Sequence, residues 1–379
     1  MNQKCYCIFS AQFLPHVGGV ENYTYHMAKE LVKKGHEVTI VTSNVEKVQV
    51  YEKLQGINVY RLPCYNFVNG RFPVFKLSKE FFEVNKIISQ KKYDLIIINT
   101  RFYIHSLYGL FFGLLKKNRT IFIEHGTSHL TMHNFLLDIL GNGLEHIFTF
   151  VEKNFCKEFY GVSEACLEWL EHFHIKGRGT LYNAIDLEEI EMQKKVPICS
   201  FRENYGISKE SIVITFTGRL VKEKGVLTLI EAFSNINKEN EKLYLFIAGD
   251  GDEENAVKSV ENNNILPLGR ITKEEIIALL KETDIFCLPS DSEGMPTSVL
   301  EAAACRNYIV TTYRGGAKEL ILDEQYGIIM KSNDKKTVEK ALRLAIEQKD
   351  SRENAVELTY NRLKDNFTWE KVAQKIVDL

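Results

Sequence analysis

Short apolar runs alternate with amphipathic stretches along almost the whole chain, and this alternation limits the possible folds more than any other feature. Short apolar runs bounded by turn residues are typical of buried strands, and longer segments with apolar residues every three or four positions are typical of helices. In the first half the predicted strands are Cys5–Phe9, Val38–Thr42, Asn58–Arg61, Leu95–Asn99 and Thr120–Ile123. The predicted helices are Val20–Lys34, Phe75–Gln90, Tyr103–Lys116 and Leu144–Phe159. Such alternation predicts an α/β domain with a parallel sheet between helices.

The alternation stops after Asp186 and then resumes. Leu187–Ser200 is charged at its start, apolar at its end and contains Pro197, so we interpret it as a linker. The strands predicted beyond it are Ile212–Thr217, Leu243–Ala248, Ile265–Leu268, Ile285–Leu288 and Tyr308–Thr311, with helices at Gly225–Asn235, Lys273–Lys281 and Thr297–Ala304. From about residue 334 onward the pattern is helical and polar. Two successive doubly wound sheets are the simplest account, with a ligand site expected where the carboxyl ends of their strands face each other.

Composition supports a soluble globular protein and separates the two halves. The chain has 379 residues, 45% of them hydrophobic and 26% charged, which is enough for two domains. Its net charge of -2 gives no indication of a nucleic-acid partner. Residues 1–200 carry 23 basic and 20 acidic side chains, residues 201–379 carry 25 and 30, and all ten histidines lie between His16 and His174.

Cysteine usage and the N-terminus predict a cytoplasmic protein. The eight cysteines include no CxxC pair, and most of them lie in apolar runs, as reduced buried thiols do. The first ten residues lead directly into a turn and do not have a signal-peptide layout. The most apolar run, Leu107–Leu115, has nine residues and is too short to span a bilayer. We therefore expect a soluble protein, or one that lies peripherally on the inner face of the membrane.

A loop between a predicted strand and a predicted helix, Ser290–Glu301, carries the densest chemistry. The free N–H groups at the helix start, where Pro296 is favourable, suit an anionic group such as a diphosphate. Glu293 in the loop and Glu301 in the helix could bind hydroxyls on different parts of one elongated ligand. The alternative, of about equal weight on the pattern alone, is that Glu293 caps the helix and Glu301 faces solvent.

A second strand-to-helix loop, Thr217–Gly225, supplies two cations. Gly218 allows the backbone to turn, and Arg219 and Lys224 could clamp a diphosphate beside the helix start. The alternative is a solvated basic turn, which is common.

A glycine pair, Gly18 and Gly19, follows the first predicted strand and allows a phosphate or sugar to approach the backbone closely. The pattern is not GxGxxG, which counts against a nicotinamide-dependent oxidoreductase.

Two sequence patterns resemble metal-binding motifs, but we interpret neither of them as a metal site. Asp250-Gly-Asp252 is a DxD sequence, but it follows a predicted strand and fits a turn. His125, His129 and His133 have helical spacing, yet His125 follows a strand and precedes Gly126, so a shared helix is not expected. We therefore predict no metal and no cofactor, with His129 and His133 in an acceptor-side loop.

Taken together and in this order, the motifs resemble those of the family-four retaining glycosyltransferases of the GT-B fold, the sugar-nucleotide-dependent enzymes of capsule, exopolysaccharide and glycolipid synthesis. The resemblance covers nearly the whole chain. One departure is Asn183-Ala184, where the family commonly has Asn-Gly. The matching segments are Gly18-Gly19, Glu124-His125-Gly126, Val162-Ser163, Tyr182–Asp186, Gly218-Arg219-Leu220, Lys224-Gly225, Ala248–Gly251, Glu293 with Glu301, and Gly315-Gly316 with Glu319.

The resemblance implies two facing Rossmann-like doubly wound domains. Residues 1–190 would bind the acceptor, residues 200–360 would bind the nucleotide sugar, and residues 361–379 would form a helix that crosses back onto the first domain. The implied reaction transfers a sugar, with retention and without a metal, from a nucleoside-diphosphate sugar to a glycan or lipid-linked saccharide. Uridine is the base expected for the donor.

The resemblance also implies roles for individual residues. Arg219 and Lys224 would hold the diphosphate, helped by the backbones of Gly18, Gly19 and Gly218. Glu301 would accept hydrogen bonds from the ribose, Glu293 would contact the transferred sugar, and His125 would reach that sugar near the reacting carbon. The remaining residues implied for the donor are Gly269, near the base, and Gly294, Met295, Pro296 and Thr297, which would cradle sugar and phosphate; His16 and Glu21 are implied for the acceptor.

The apolar segment Leu130–Phe150, with Lys116, Lys117 and Arg119 nearby, allows two interpretations. It could contact a membrane that carries a lipid-linked acceptor, or it could be helix core, which is the somewhat stronger reading of the pattern.

Two alternative functions stay open on the sequence. A sugar-nucleotide epimerase of similar fold would form product without an acceptor. A non-catalytic sugar-nucleotide-binding subunit is the other, and the intact pairs Arg219 with Lys224 and Glu293 with Glu301 argue against it.

Overall fold

A computed structural model of the chain describes residues 3–67, 72–129, 135–198 and 200–379. It divides the chain into two compact units. The first unit consists of Met1–Tyr182 and Val372–Leu379, and the second unit is Asn183–Lys371.

The first unit is built on a seven-stranded sheet with the order β3-β4-β2-β1-β7-β8-β9. All neighbouring strands are parallel except β3, which is antiparallel to β4, and a separate hairpin is formed by β5 and β6. The strands are β1 Cys5–Ser10, β2 Glu37–Ser43, β3 Tyr51–Leu54, β4 Ile57–Leu62, β5 Cys64–Phe67, β6 Phe72–Phe75, β7 Leu95–Asn99, β8 Thr120–Glu124 and β9 Phe159–Gly161. The helices are α1 Gly19–Lys33, α2 Lys79–Gln90, α3 Ile104–Lys116, α4 Phe135–Phe155 and α5 Glu164–His172.

The second unit is built on a six-stranded, wholly parallel sheet with the order β12-β11-β10-β13-β14-β15. Its strands are β10 Ile212–Thr217, β11 Leu243–Ala248, β12 Ile265–Gly269, β13 Ile285–Leu288, β14 Tyr308–Thr312 and β15 Ile328–Met330. Its helices are α6 Leu187–Gln193, α7 Phe201–Asn204, α8 Val226–Asn237, α9 Glu254–Lys258, α10 Lys273–Lys281, α11 Thr297–Ala304, α12 Ala317–Leu320, α13 Lys335–Glu347 and α14 Lys349–Asn366. The last helix, α15 Trp369–Asp378, begins in this unit and ends in the first one.

The predicted strands are confirmed in both units. Most of them are buried along their whole length, because the strands of a parallel sheet have helices on both sides, and such strands appear in a sequence as continuous apolar runs. The strands β3, β5, β6, β9 and β15 were not predicted. They are three or four residues long, and β3 and β5 are largely exposed, so neither length nor hydrophobicity distinguishes them from loops.

The segment predicted as a linker is partly helical. The side chain of Asp186 accepts a hydrogen bond from the Glu189 N–H at 2.9 Å and caps α6. This helix contacts α10 and α11, and the Lys194 ammonium donates to the Ala304 carbonyl at 2.8 Å. The first unit therefore ends at Tyr182, before the expected linker, because these residues pack on the second core.

Two predicted helices have different limits in the structure. In place of the predicted helix Leu144–Phe159, the structure has the longer helix α4, which ends at Phe155. Phe159 is buried and belongs to the strand β9. Phe75–Gln90 begins only at Lys79, where the Ser78 hydroxyl accepts the Phe81 N–H and caps the helix.

The polar end of the chain is helical, as predicted, in α13, α14 and α15. The last eight residues belong to the first unit. There the Lys4 ammonium donates to the Val377 carbonyl at 2.6 Å, and the Lys34 ammonium donates to the Gln374 side chain at 3.3 Å.

No helix within the described ranges combines the length and the apolar character that crossing a bilayer requires.

Candidate active site

The loop from β10 to α8 carries two of the expected donor-binding cations, Arg219 and Lys224. Gly218 follows the strand with a φ of 152°, and the Leu220 N–H donates to the Asp250 carbonyl at 2.6 Å, which ties this loop to the one after β11. Arg219 is exposed, and its guanidinium pairs with no carboxylate of the described residues. Its charge is therefore available to an anionic ligand.

Lys224 and Glu293 form an ion pair. The Lys224 ammonium donates to Oε1 of Glu293, and the same oxygen accepts the Ser290 hydroxyl at 2.7 Å. The two side chains are only 19% and 10% exposed, so little water competes for their charges. The cation expected at the diphosphate and the carboxylate expected at the sugar thus lie side by side.

Two glycines allow the neighbouring loops to pack backbone against backbone. Gly225 has a φ of 70°, and a Cβ there would collide with the Pro289 carbonyl. Gly315 has a φ of 63°, and a Cβ there would collide with the Glu293 carbonyl. The loops after β10, β13 and β14 therefore meet closely around the Lys224–Glu293 pair.

The loop before α11 is held by a side chain from far along the sequence. The Asn183 amide donates to the Met295 carbonyl at 3.0 Å, and its oxygen accepts the Ala184 N–H at 3.1 Å. Ala184 is buried and has no positive φ, so the absence of the family's usual glycine causes no backbone strain. Pro296 precedes the first helical residue, Thr297, and the first N–H groups of the helix have no partner within it. These groups and the helix dipole favour an anion at this end.

Glu301, the fifth of the eight residues of α11, is half-buried rather than facing solvent freely. Burial raises its pKa to about 7, the nearby Lys273 ammonium lowers it, and Glu189 raises it further. Lys273 and Glu189 bind each other at 2.9 Å. A carboxyl group with this pKa is partly ionised at neutral pH, and its ionised form is a strong hydrogen-bond acceptor.

Gly269 lies at the end of β12 with a φ of 66°, and its carbonyl accepts the Gly249 N–H at 2.8 Å. The sequence that follows Gly249, Asp250-Gly-Asp252, forms a turn as predicted, and Gly251 in it has a φ of 145°. The Asp250 carboxylate faces the Arg270 guanidinium at 3.6 Å.

In the first unit, His125 lies directly after β8, where the sheet presents the carboxyl end of its strand. Its N–H and that of Gly126 both donate to Oε1 of Glu124, at 3.0 and 2.8 Å. The imidazole packs edge-to-face against the Tyr23 ring, with the ring centres 4.7 Å apart. Removal from water lowers its pKa to about 3, so the ring is neutral at physiological pH.

A directional chain of hydrogen bonds fixes the tautomer of His125. The Thr24 hydroxyl donates to the Val20 carbonyl at 2.7 Å and accepts the Asn99 amide at 2.7 Å. The Asn99 oxygen therefore faces Nε2 of His125 at 3.3 Å, and Nε2 carries the proton. Nδ1 is left as the hydrogen-bond acceptor of the ring.

A buried charge network supports the His125 loop and was missed in the sequence. Arg101, only 2% exposed, pairs with Glu124 through Nε and with Glu145 at 2.9 Å, and it donates to the Thr149 hydroxyl at 2.9 Å. Burial raises the pKa of the adjacent Glu152 to about 8, so this third carboxyl is neutral at pH 7. The signal available in the sequence was a basic residue two positions after a strand, at the edge of the sheet where functional residues gather.

The glycine loop of the first unit lies at the start of α1. Gly18 is the N-cap residue, and a Cβ there would collide with the Glu21 carboxylate, whereas a Cβ at Gly19 would meet nothing. Glu21 is buried, and its burial raises its pKa. His16 is partly exposed, and its Nδ1 lies 3.7 Å from a carboxylate oxygen of Glu46.

The predicted site residues thus form two groups. Arg219, Lys224, Glu293 and Glu301 lie with Gly218, Gly269 and Gly294–Thr297 in the second unit, at the carboxyl edge of its sheet. His125 lies beside the first turns of α1 in the first unit. His125 and His129 are not helical, as expected. Leu130 and His133 fall outside the described residues.

Comparisons with known proteins identify two glycosyltransferase domains in the chain. Residues 17–189 match the domain described as Glycosyltransferase Family 4, and residues 199–362 match Glycosyl transferases group 1. An uncharacterised glycosyltransferase of Methanocaldococcus jannaschii is 29% identical, covering 96% of this chain and 95% of the relative. The N,N'-diacetylbacillosaminyl-diphospho-undecaprenol alpha-1,3-N-acetylgalactosaminyltransferase of Campylobacter jejuni is 25% identical, covering 97% of both chains.

Among solved structures, Anabaena HepE in complex with UDP superposes with a TM-score of 0.74 at 16% identity, covering 100% of this chain and 99% of the other. The chain has the GT-B fold of two Rossmann-like domains that these enzymes share. With its first unit matching one conserved domain and its second unit the other, the protein belongs to the family-four GT-B glycosyltransferases.

Proposed function

We propose that this glycosyltransferase transfers a sugar, with retention, from a UDP-sugar to a lipid-linked saccharide or glycolipid acceptor in surface polysaccharide or glycolipid synthesis. The observation that carries the proposal is the cluster at the carboxyl edge of the second sheet. There the exposed guanidinium of Arg219, the Lys224–Glu293 pair and the start of α11 lie on two loops that pack against each other, and the loop after β14 packs against them through Gly315. UDP is named in the complex with the structurally similar HepE, and a diphospho-undecaprenol acceptor is named for the Campylobacter relative.

The residue types fit the charges of the reaction. Departure of UDP builds negative charge on the β-phosphate, which Arg219, Lys224 and the N–H groups at the start of α11 would stabilise. Glu301 would accept the ribose hydroxyls, and Glu293 would contact the sugar once Lys224 turns to the phosphate. His125 would offer Nδ1 to a sugar hydroxyl. No covalent nucleophile is assigned, since the leaving phosphate can accept the proton of the acceptor hydroxyl.

The donor assignment is tested by stabilisation and by turnover. UDP, CDP, GDP and ADP are compared in thermal unfolding, and UDP is expected to give the largest shift, about 2.7 kcal/mol at a hundredfold excess over its dissociation constant.

Arg219→Ala should lower kcat/KM about 100-fold, on the order of 3 kcal/mol, as the loss of one preorganised donor does. The matched control is Lys222→Ala, which removes an exposed cation of the same loop and should change little. Equal effects of the two variants would overturn the assignment.

Two finer features of the reaction have their own tests. Retention predicts that the product has the anomeric configuration of the donor, which the NMR coupling constant of the anomeric proton reports. Metal independence predicts equal rates with and without added Mg²⁺ or Mn²⁺, and an unchanged rate for Asp252→Asn. Product formed without any acceptor would indicate an epimerase instead.

The distribution of polar and apolar side chains around α4 supports contact with a membrane. Along α4, Glu145, Thr149 and Glu152 share one face and are buried around Arg101. Apolar residues occupy the opposite face and are exposed, and the Phe111 and Phe155 rings, 6.0 Å apart, join this face to α3. We call this the α3–α4 apolar face; it consists of Phe111, Leu114, Leu115, Ile139, Leu140, Leu144, Ile147, Phe150 and Phe155.

The α3–α4 apolar face would lie on the lipid surface, with Lys116 and Lys117 at the end of α3 near anionic headgroups. Sedimentation with vesicles that contain anionic lipid tests this. The wild type should bind, and Ile147→Ser combined with Phe150→Ser should release it. Leu322→Ser removes a similarly exposed side chain of the second unit and should leave binding unchanged. A wild type that does not sediment with vesicles at low salt would exclude membrane contact.

A further inference from the structure

Three histidines that have no part in the proposed transfer reaction converge in the first unit. His129 lies in the loop that follows His125, His146 lies in α4, and His172 is the last residue of α5. One ring nitrogen from each lies within 4.8 Å of those of the other two. No sequence pattern indicates this cluster, because its members come from three separate elements.

Aromatic packing restricts the rings of the cluster. The His172 ring stacks on Trp169 with centres 4.8 Å apart and planes 4° from parallel. The His146 ring packs against Phe173, with centres 4.8 Å apart, and the His129 ring meets Trp169 edge-to-face at 4.9 Å. Three imidazoles held in this way lose less conformational freedom when an ion binds them than three free surface side chains would.

A buried carboxylate orients the first of the three histidines. Nδ1 of His129 lies 2.7 Å from Oε2 of Glu145, and the other oxygen of Glu145 pairs with Arg101 at 2.9 Å. Histidines that ligate metals generally donate their second ring N–H to a carboxylate in this way, which fixes the tautomer and makes the free nitrogen more basic. The carboxylate leaves Nε2 of His129 as the available ligand atom.

The local charges suit a cation. Arg101 is matched by Glu124 and Glu145, whose charges offset the repulsion that the guanidinium would exert on an ion. His146 and His172 are exposed, and an ion can reach them from solvent.

We propose that His129, His146 and His172 bind a divalent transition-metal ion, with Zn²⁺ as the best match, and that the ion ties the loop after His125 to α4 and α5. Imidazole ligands suit Zn²⁺, whereas Mg²⁺ and Ca²⁺ prefer oxygen. Zn–N bonds of about 2.0–2.1 Å place tetrahedral ligand nitrogens about 3.4 Å apart, so small rotations of the exposed rings would complete the site, with a water as fourth ligand. The ion would lie in the first unit, and no step of sugar transfer passes through it.

Metal binding by the full-length protein tests the proposal. Zn²⁺ is titrated in competition with a chromophoric chelator, and the wild type should take up one equivalent. His146→Gln and His172→Gln should each weaken binding at least about tenfold, and the double variant should lose the site. The matched control is His174→Asn, which removes an exposed histidine two residues from the cluster and keeps a residue type that tolerates its φ of 56°. Co²⁺ should give the visible absorption of a tetrahedral site in the wild type only.

Three outcomes would overturn the proposal: a wild type without a stoichiometric site, equal binding by the wild type and the double variant, or equal losses in His172→Gln and His174→Asn. Thermal unfolding without metal shows whether the variants are folded. If they are not, hydrogen exchange of the wild type decides, since Zn²⁺ should slow exchange at Gly126–His129 and around His146, and an unchanged pattern would reject the site.

Discussion

His125 is a histidine whose surroundings prevent it from acting as a pH switch. Desolvation lowers its pKa to about 3 and keeps the ring neutral, and the hydrogen bond to Asn99 leaves Nδ1 as an acceptor. We expect His125→Ala to lower kcat about tenfold, the value of one hydrogen bond of about 1.4 kcal/mol. The ratio of wild-type to variant rates should stay constant from pH 5 to 9. A ratio that changes near pH 6.5 would show that the imidazole titrates normally and would contradict its desolvation.

Glu301 is expected to titrate within the working range of the enzyme. With a pKa of about 7, it gains charge between pH 6 and 8 and becomes a better acceptor for the ribose hydroxyls. The KM for the UDP-sugar, whose diphosphate keeps its charge over this range, should therefore fall as the pH rises, by about tenfold or 1.4 kcal/mol. Glu301→Gln should show a higher KM that does not depend on pH.

Glu189 provides the control for this assignment. Its charge raises the pKa of Glu301 and it binds Lys273, which lowers the same pKa. Glu189→Gln removes the repulsion and frees the ammonium, so the midpoint of the KM profile should move to lower pH. An unchanged midpoint would indicate that another group causes the pH dependence.

At the scale of elements, the packed loops of the second unit depend on Gly225. Alanine there would adopt a φ of 70° and would also collide with the Pro289 carbonyl. Gly206 isolates the first effect, because it has a φ of 64° and a Cβ added there would meet no other atom. Gly206→Ala should cost about 1 kcal/mol of unfolding free energy and Gly225→Ala about 2 kcal/mol more, as measured in urea. Equal costs would mean that the loops do not pack as described.

The buried polar face of α4 predicts a pH-dependent stability. The pKa of Glu152, about 8 in the folded state, lies far above its value of about 4.3 in an unfolded chain. The stability contributed by the neutral carboxyl is therefore complete below about pH 4 and is lost as the pH rises through 8. The melting temperature of Glu152→Gln should fall less between pH 6 and 9 than that of the wild type. Glu171→Gln, a change at an exposed position, should behave like the wild type.

Secondary-structure elements could be predicted from the sequence where a single local pattern determines their type and limits. Leu95–Asn99 and Ile212–Thr217 were predicted with their limits, because a strand buried on both faces has an unbroken apolar sequence. The apolar residues of α4 predicted either a membrane face or a core, and the structure exposes Leu140, Leu144 and Ile147. The sequence could not decide this, because the partner of the polar face, Arg101, lies 44 residues before Glu145 in the chain. The site residues on loops that follow strands were recognised for the same reason, because the local pattern shows where a strand ends. Contacts between segments that are distant in the chain, such as that of Asn183 with Met295, were not recognised.

At the scale of the whole molecule, the division of the chain separates its charges more sharply than its halves do. The first unit carries 22 basic and 17 acidic side chains, and the second carries 26 and 33, so their formal charges are +5 and -7. The boundary itself lay beyond the sequence pattern, since a charged segment with one proline resembles a linker until the core on which α6 packs is known. The acidic unit holds the residues expected to bind an anionic donor, so binding would rest on a few placed cations.

The placed cations attract UDP, whereas the net charge of the second unit repels it. The salt dependence of UDP binding therefore tests the assignment of Arg219 and Lys224. Salt screens the attraction of UDP to Arg219 and Lys224, but it also screens repulsion from the unit's charge of -7, and repulsion over longer distances is screened more completely. The affinity of the wild type for UDP, measured by calorimetry from 20 to 300 mM NaCl, should therefore change only slightly. In the double variant Arg219→Ala, Lys224→Ala, long-range repulsion dominates, so the residual binding should strengthen with salt. Binding by the double variant that weakens with salt would show that other cations hold the diphosphate, and the assignment of the two residues would be wrong.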